Sequence, residues 1–202
     1  MIHVKECGMA RGKLTGVIVV VAVIAVFLII FGAWYIGTRN TLVTLEESID
    51  AAWSEIDNQL QRRNDLIPNL VATVKGYAAH EKEVFTQISE ARAKLAGAQT
   101  VGETAQGYNQ LQSALGRLLV IVERYPDLKS NVNFIRLQDE LAGTENRIAV
   151  ARKRYNDAVR IFNTKIRRFP ASTIARRMGF EKKEYFEIDE GAREVPEVDF
   201  EE

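Results

Sequence analysis

The chain has few of the residues from which a catalytic or metal site is built. Its 202 residues include one cysteine, Cys7, and two histidines, His3 and His80. A single cysteine excludes an intrachain disulfide and leaves no thiol chemistry after residue 7. There is no glycine-rich phosphate loop, nucleophile elbow or Glu-x-x-His pair, which argues against kinases, α/β-hydrolases and di-metal carboxylate bundles. We therefore expect a non-enzymatic protein with no catalytic residue, no metal and no cofactor.

Net charge is also lacking. Lysine and arginine together number 27, as do aspartate and glutamate, so the formal charge is zero. A neutral chain has no bulk attraction for polyanions, and we expect no nucleic-acid partner. A remote alternative is a hydrolase using the tail carboxylates Glu187, Asp189 and Glu190. It lacks a positioned nucleophile or base beside them.

The longest apolar run lies near the N-terminus, where no charged residue occurs between Leu14 and Ile36. At about 1.5 Å per residue, a helix over this run spans roughly 35 Å, enough to cross a hydrocarbon core of about 30 Å. Cleaved signal peptides have shorter apolar regions that end at small residues. This run ends at Trp34 and Tyr35, as interfacial aromatics do. The sequence predicts a transmembrane helix over residues 14–36, after a short basic tail over residues 1–13.

Flanking cations predict the orientation of this helix. Lys5, Arg11 and Lys13 precede the span, whereas Arg39 alone follows it before Arg62. Because lysine and arginine near a span resist translocation, this favours a cytoplasmic N-terminus and an extracytoplasmic domain. Met9 is an alternative start residue, and the opposite orientation stays open.

Residues 38–169 have the apolar periodicity of long helices. Apolar residues recur at steps of three and four over 38–67 and again from Ser130 to Phe169, the pattern of bundle seams. Pro68 removes a backbone donor, so we predict that the first bundle helix ends there and the second runs from Pro68 to about Ala96.

Two further boundaries follow from capping residues. Thr100 and Glu103 form a potential capping box for a third helix over about 102–124, and Ser130 is predicted to cap the fourth. Short connections between long helices favour antiparallel neighbours. The predicted fold is all-α: a transmembrane helix, an antiparallel up-down-up-down four-helix bundle over 38–169, and an irregular tail over 170–202 packed on the bundle near the membrane.

One polar pair should meet inside the bundle. Arg63 interrupts the first apolar stripe and Glu145 lies at the edge of the fourth. Counted from the membrane ends of their helices, the two residues are at nearly the same level. We predict an ion pair or a shared polar network that sets helix register; the alternative is that Arg63 extends to solvent. The predicted members are Arg62, Arg63, Glu140, Glu145 and Asn146.

The same count returns the tail to the membrane surface. Basic residues alternate there with Phe169, Ile174, Met178 and Phe180, and basic side chains are attracted to anionic headgroups. We expect Phe180, Tyr185 and Phe186 to pack on the bundle. The expected membrane-surface contacts are Arg167, Arg168, Arg176, Arg177, Lys182 and Lys183.

The chain resembles the LemA family in several blocks. The first block is Ile49 to Ser54, Gln59 to Arg63, Asp65 to Val71 and Val74 to Ala78. The second is Tyr125 to Lys129, Asn133-Phe134, Leu137-Gln138, Glu140-Leu141, Thr144 to Ile148 and Tyr155 to Val159. The tail matches in Phe169-Pro170, Gly179-Phe180, Tyr185-Phe186, Gly191-Ala192 and Pro196.

The resemblance implies a single-pass anchor and an antiparallel four-helix bundle in a prokaryotic cell envelope, with no catalytic residues. It also implies envelope partners, because family members often accompany membrane proteases and small anchored TPM-domain proteins. Our first hypothesis is a membrane-anchored scaffold or adaptor. The alternative is a self-associating, membrane-organising homo-oligomer paired through helix seams or the Gly32 to Gly37 region. Residues expected to face a partner are Asn69, Lys75, Tyr77, Lys129, Asn131 and Asn133, which also fit the simpler role of caps and turn residues.

Overall fold

The computed structural model describes the backbone of residues 5–187 and the side chains of residues 16–187. Within that range every regular element is a helix, so the predicted all-α fold is confirmed. The chain divides into two compact units, one joining the residues up to Glu46 with Thr164–Glu181, the other joining Glu47–Asn163 with the residues from Lys182 onward. The helices are α1 (Lys5–Lys75), α2 (Lys82–Ala96), α3 (Val101–Val122), α4 (Pro126–Lys129), α5 (Val132–Arg167) and α6 (Ala171–Arg177).

The N-terminal part of α1 is long and apolar enough to cross a membrane, and it is the one helix among the described residues that meets this condition. Its large side chains, such as Val20 and Phe27, are exposed. In water this would be an unfavourable surface, and in a hydrocarbon core it is the expected one. The structure therefore agrees with the predicted anchor.

Pro68 does not end the first bundle helix, so the prediction of a turn there is wrong. Helix α1 continues through Pro68 to Lys75, and α2 begins only at Lys82. An interior proline forfeits one backbone hydrogen bond and crowds the preceding turn. Ile67, Leu70 and Val74 are all buried, however, so the apolar stripe continues across the proline and its burial favours an unbroken helix.

The second unit contains the predicted antiparallel bundle of α1, α2, α3 and α5. Between α1 and α5, Glu55 contacts Arg154 and Gln59 contacts Arg147, so the contacts run in opposite sequence directions, as antiparallel packing requires. The same holds between α1 and α2, where Asn64 contacts Arg92 and Lys75 lies over the Phe85 ring. It also holds between α2 and α3, where Gln87 contacts Arg117 and Gly107 lies against Leu95.

Side-chain caps set two of the helix starts. The Thr100 hydroxyl accepts from the Glu103 backbone and the Glu103 carboxylate accepts from the Thr100 backbone, which confirms the predicted capping box of α3. Ser130 does not cap α5, contrary to prediction. The Asn131 side chain accepts from the backbone N–H groups of Asn133 and Phe134 instead, an arrangement that asparagine forms readily at helix starts.

In the first unit, α6 folds against α1. Leu42, Ile174 and Ala175 form its buried cluster, with partly buried Tyr35, Ile166, Met178 and Phe180 packed around it. Phe169 was expected in the α5 seam, but α5 ends at Arg167 and the Phe169 side chain is 86% exposed. The unit thus combines a buried apolar cluster with one large apolar side chain left on its surface.

Candidate functional site

A polar cluster of Arg63, Gln112, Tyr108 and Glu145 lies inside the bundle. Arg63 Nη1 donates to Glu145 Oε2 and Arg63 Nη2 donates to Gln112 Oε1. The Tyr108 hydroxyl donates to Glu145 Oε1, and the Arg63 guanidinium carbon lies 5.4 Å from the centre of the Tyr108 ring. Helices α1, α3 and α5 each contribute to it, so the cluster links three of the four bundle helices.

Arg63 and Glu145 differ in their access to water. The Arg63 side chain is 5% exposed, whereas that of Glu145 is 33% exposed. Arg63 Nε is buried and has no hydrogen-bond partner among the described residues. Burial of a cation is costly unless it is paired, so the Glu145 carboxylate compensates for a charge that the bundle cannot solvate.

Burial shifts the ionisation of two cluster residues. It lowers the pKa of Arg63, with the neighbouring Tyr108 opposing that shift. Burial also raises the pKa of Tyr108, partly offset by the arginine charges of Arg63 and Arg152. A tyrosine that holds its proton more tightly and an arginine are poor general bases near neutrality. Neither Arg63 nor Tyr108 is therefore suited to act as a general base near neutral pH.

The structure brings together two of the five residues predicted for this network. Arg62 and Asn146 are exposed, and Glu140 lies 3.5 Å from Arg136 on its own helix. Gln112 and Tyr108 were missed because polar residues on α3 give no sequence signal that they face inward. Beside the cluster, α3 and α5 leave a groove of about 270 Å³ whose walls include Leu115, Leu119 and Leu141.

A second feature of the bundle is an aromatic cluster that holds the tail. Trp53 lies against Tyr155 and Phe186, with ring centres 5.3 and 5.9 Å apart, and Tyr108 meets Phe186 edge-on. Aromatic pairs at such distances add stability beyond the area that they bury. Phe186 is almost completely buried, so the tail segment supplies part of the core of the second unit.

Two asparagines on α5 bind this tail segment through its backbone. Asn163 donates to the Lys183 carbonyl and accepts from its N–H, and Asn156 does the same with Phe186. The Tyr155 hydroxyl donates to the Glu184 carbonyl. An amide side chain offers a donor and an acceptor together, so each asparagine satisfies both backbone groups of one tail residue. Asp189 and Glu190, predicted as remote hydrolytic carboxylates with Glu187, lie outside the described residues.

The predicted partner residues fall mostly at one end of the bundle. The connection after α1 and the segment before α5 meet there, where Asn131 Nδ2 donates to the Tyr77 hydroxyl at 3.0 Å and Arg124 pairs with Glu81 at 2.8 Å. We call Tyr77, Lys129, Asn131, Val132 and Asn133 the paired-loop surface.

Two of the predicted partner residues, Lys75 and Lys129, already contact other side chains of the same chain. Lys75 Nζ lies 5.2 Å from the centre of the Phe85 ring, and Lys129 pairs with Glu123 across the short α4 segment. Asn69 is an exposed residue nearly two turns before Lys75 on α1, and its carbonyl accepts from the Thr73 hydroxyl. Lys75 and Lys129 are thus already engaged within the chain, whereas Val132 is 78% exposed.

The predicted membrane-surface residues separate into the two units. Arg167, Arg168, Arg176 and Arg177 lie in the first unit and are exposed. Lys182 and Lys183 belong to the second unit, where the Lys183 backbone is bound by Asn163.

Known proteins of similar sequence include magnetosome proteins. Magnetosome protein MamQ 2 of Paramagnetospirillum magneticum is 29% identical over 196 residues, covering 84% of this chain and 71% of that protein. MamQ of Magnetospirillum gryphiswaldense is 28% identical over 204 residues, covering 88% of this chain and 74% of that protein. Protein LemA of Metamycoplasma hominis is 28% identical over 163 residues, covering 80% and 74% respectively.

None of these names states a catalytic activity. Together with the apolar part of α1, the relatives support a membrane-associated protein. The sequence model of the LemA family matches residues 52–200, well over half of the chain. The chain therefore belongs to the LemA family.

Proposed function

We propose that this protein is a membrane-tethered, non-enzymatic scaffold that presents the paired-loop surface to another protein of the prokaryotic cell envelope. The observation that carries the proposal is the joining of two separate connections by the Tyr77–Asn131 hydrogen bond and the Glu81–Arg124 ion pair. A surface held in one arrangement before binding loses less conformational entropy when a partner docks.

The chemistry of this surface suits protein recognition. Tyr77 is 43% exposed and Val132 78% exposed, so an aromatic and an aliphatic side chain lie beside amide groups that donate and accept hydrogen bonds. Tyrosine is enriched where binding energy concentrates, and exposed apolar groups surrounded by polar ones are typical of interfaces. A membrane protease or a TPM-domain protein is the kind of envelope partner that we propose.

The test uses photo-crosslinking of the full-length protein in its own membranes. A photoreactive residue at Val132 should yield an adduct with a second protein. The matched control is Val150, which lies on the same helix and is 53% exposed. Adducts that form equally from both positions, or from neither, would overturn the assignment of this surface. Adducts of twice the chain mass from position 132 would replace the adaptor by the self-associating alternative.

A second measurement addresses affinity. Val132→Asp places a charge at the centre of the surface and should lower co-purification of the crosslinked partner at least tenfold, because a buried unpaired charge is costly. Val150→Asp adds the same charge elsewhere on α5 and should leave co-purification unchanged. Equal losses in the two variants would indicate an effect of net charge and count against the surface.

A further inference from the structure

Helix α6 carries its basic and apolar residues on different sides. Ala171, Ile174 and Ala175 are buried, whereas Arg176 and Arg177 are exposed. The buried side packs on Leu42 of α1. The exposed side therefore presents cations to whatever surrounds the first unit.

The segment that contains α6 is strongly basic. From Thr164 to Glu181 there are five basic residues and one acidic residue, Glu181. Arg167, Arg168, Arg176 and Arg177 are all exposed, and none of them belongs to an ion pair found among the described residues. Phe169 lies between these two pairs of arginines in sequence and is 86% exposed. Exposed cations close in sequence to an exposed aromatic ring are the residue types that bind at a membrane interface.

The position of α6 along α1 can be compared with the bilayer. Leu42, which contacts α6, lies six residues beyond Ile36, so it is about 9 Å past the end of the apolar run at 1.5 Å per residue. Tyr35, inside the run, packs against the same cluster. Each headgroup region is roughly 5 to 8 Å thick, the difference between the hydrocarbon core and the full bilayer. These two levels of α1 bracket the headgroup region, so a helix that packs between them lies beside it.

We propose that α6 and the Phe169 turn form a second membrane-binding element that holds anionic lipid headgroups at the foot of the transmembrane helix. The arginines would bind the phosphates and Phe169 would enter the interface. Arginine suits phosphate because its planar donors match two oxygens at once. The proposal does not depend on the paired-loop surface, since every residue that carries it belongs to the first unit.

The experiment uses the full-length protein in lipid nanodiscs, with Cys7→Ser and Phe169→Cys to attach an environment-sensitive dye. In nanodiscs containing phosphatidylglycerol, the dye should shift to shorter wavelength and be quenched by spin-labelled lipid. In pure phosphatidylcholine both effects should be weaker. Each arginine should contribute about fivefold to the equilibrium between lipid-bound and lipid-free α6.

The key variant is Arg176→Gln/Arg177→Gln, which should raise the phosphatidylglycerol fraction needed for half of the dye response and lower the quenching. Arg62→Gln/Lys94→Gln is the matched control, because it removes two exposed cations from the second unit and should leave the response unchanged. Circular dichroism establishes that each variant keeps the helical content of the parent.

Three results would overturn the proposal. A dye that is unquenched in both lipids would show that α6 faces water or a protein. Equal quenching in both lipids would show apolar contact without headgroup charge. Equal losses in the two double variants would show a general effect of net charge. Reduced quenching confined to Arg176→Gln/Arg177→Gln, in phosphatidylglycerol, would establish the lipid-binding element.

Discussion

Arg63 is the residue whose environment is most unusual. A guanidinium that is 5% exposed has lost nearly all of its hydration, and its compensation comes from Glu145 and Gln112. Glu145, at 33% exposure, retains part of its hydration. Replacing Arg63 or Glu145 breaks the same ion pair, but the charged group that remains differs. The loss in free energy of unfolding should therefore differ as well.

We predict that Glu145→Gln is more destabilising than Arg63→Met. The first variant leaves a buried cation without its carboxylate and should lower the free energy of unfolding by about 2 to 4 kcal/mol. The second leaves a carboxylate that reaches water and replaces the guanidinium by an apolar side chain of similar length, which should cost about 1 kcal/mol. Denaturant unfolding of the full chain in detergent, followed by circular dichroism, measures both.

Arg154→Met is the control for this comparison. Arg154 pairs with Glu55 on the bundle surface, with side-chain exposures of 63% and 51%. Surface pairs contribute roughly 0 to 1 kcal/mol. Equal losses for Glu145→Gln and Arg63→Met would contradict the view that unequal hydration governs the pair.

Tyr155 makes stability sensitive to alkaline pH. Burial, followed by the nearby charges of Glu184 and Asp50, raises the pKa of Tyr155 to about 12. Because the folded state holds this proton more tightly than the unfolded state, the contribution to stability is complete below pH 10 and is lost between about pH 10 and 12. We predict that Tyr155→Phe flattens the fall in melting temperature over that range.

Tyr77→Phe is the comparison for this measurement, since it removes the hydroxyl of an exposed tyrosine. Tyr155→Phe also removes the hydrogen bond to the Glu184 carbonyl, so its melting temperature at neutral pH should drop. The prediction is tested by the slope of melting temperature against pH, and not by the melting temperature at neutral pH. An alkaline slope equal to that of the parent would refute it.

At the scale of the elements, the packing of α2 against α3 depends on a glycine. A Cβ added at Gly107 would lie 2.8 Å from Leu95 Cα and 3.0 Å from Leu95 N, which are backbone atoms that cannot rotate away. A Cβ added at Gly116, on the same helix, would meet no atom within 4 Å. The two glycines thus share their helix and differ in their surroundings.

We predict opposite effects of alanine at these two positions. Gly107→Ala should force α2 and α3 apart and lower the free energy of unfolding by about 1 to 3 kcal/mol. Gly116→Ala should raise it by about 0.5 to 1 kcal/mol, because alanine loses less backbone freedom in a helix. Thermal melts of the two variants check the signs. A stabilising effect of Gly107→Ala would show that α2 and α3 do not approach each other this closely at Gly107.

The sequence predicts a helix boundary well where local capping residues set it. It predicts a boundary poorly where packing against other helices sets it. The Thr100–Glu103 box involves residues three apart, so the pattern alone identifies it. The predicted boundary at Pro68 rests on a local mechanism, because proline removes a backbone donor and crowds the preceding turn. The burial of Leu70 and Val74 beyond it overrides that local effect, and burial depends on other helices.

At the scale of the whole molecule, the orientation of the span is the property that matters most for partners. Three basic residues lie close enough to the N-terminal end of the span to influence its orientation, and one lies equally close to the other end. They are Lys5, Arg11 and Lys13 before the span and Arg39 after it. Arg176 and Arg177 lie more than a hundred residues later, and cations that far along a long translocated domain contribute little to orientation. The basic residues of α6 therefore do not alter the predicted topology.

We predict a cytoplasmic N-terminus and an extracytoplasmic bundle. A C-terminal alkaline phosphatase fusion, active only outside the cytoplasm, should be active, whereas a C-terminal green fluorescent protein fusion should be dark. Lys5→Gln/Arg11→Gln/Lys13→Gln should invert part of the population, because it removes the charge bias across the span. A fluorescent and phosphatase-negative pair of parent fusions would reverse the assignment.

The sequence by itself determined the features that depend on local composition and period. The anchor follows from an uncharged run as long as a hydrocarbon core is thick. The long helices follow from apolar steps of three and four. The meeting of Arg63 with Glu145 follows from counting equal rises along antiparallel helices.

Only the tertiary structure decided which other residues join them. Gln112 and Tyr108 complete the polar cluster, Asn156 and Asn163 bind the tail backbone, and Phe169 stays exposed at the end of an apolar stripe. Asparagine, glutamine and tyrosine are common on helix surfaces, so their pattern does not reveal a buried partner. Such contacts join residues that are far apart in sequence. They form only when packing has fixed which face of each helix points inward and the tail has folded back onto the bundle.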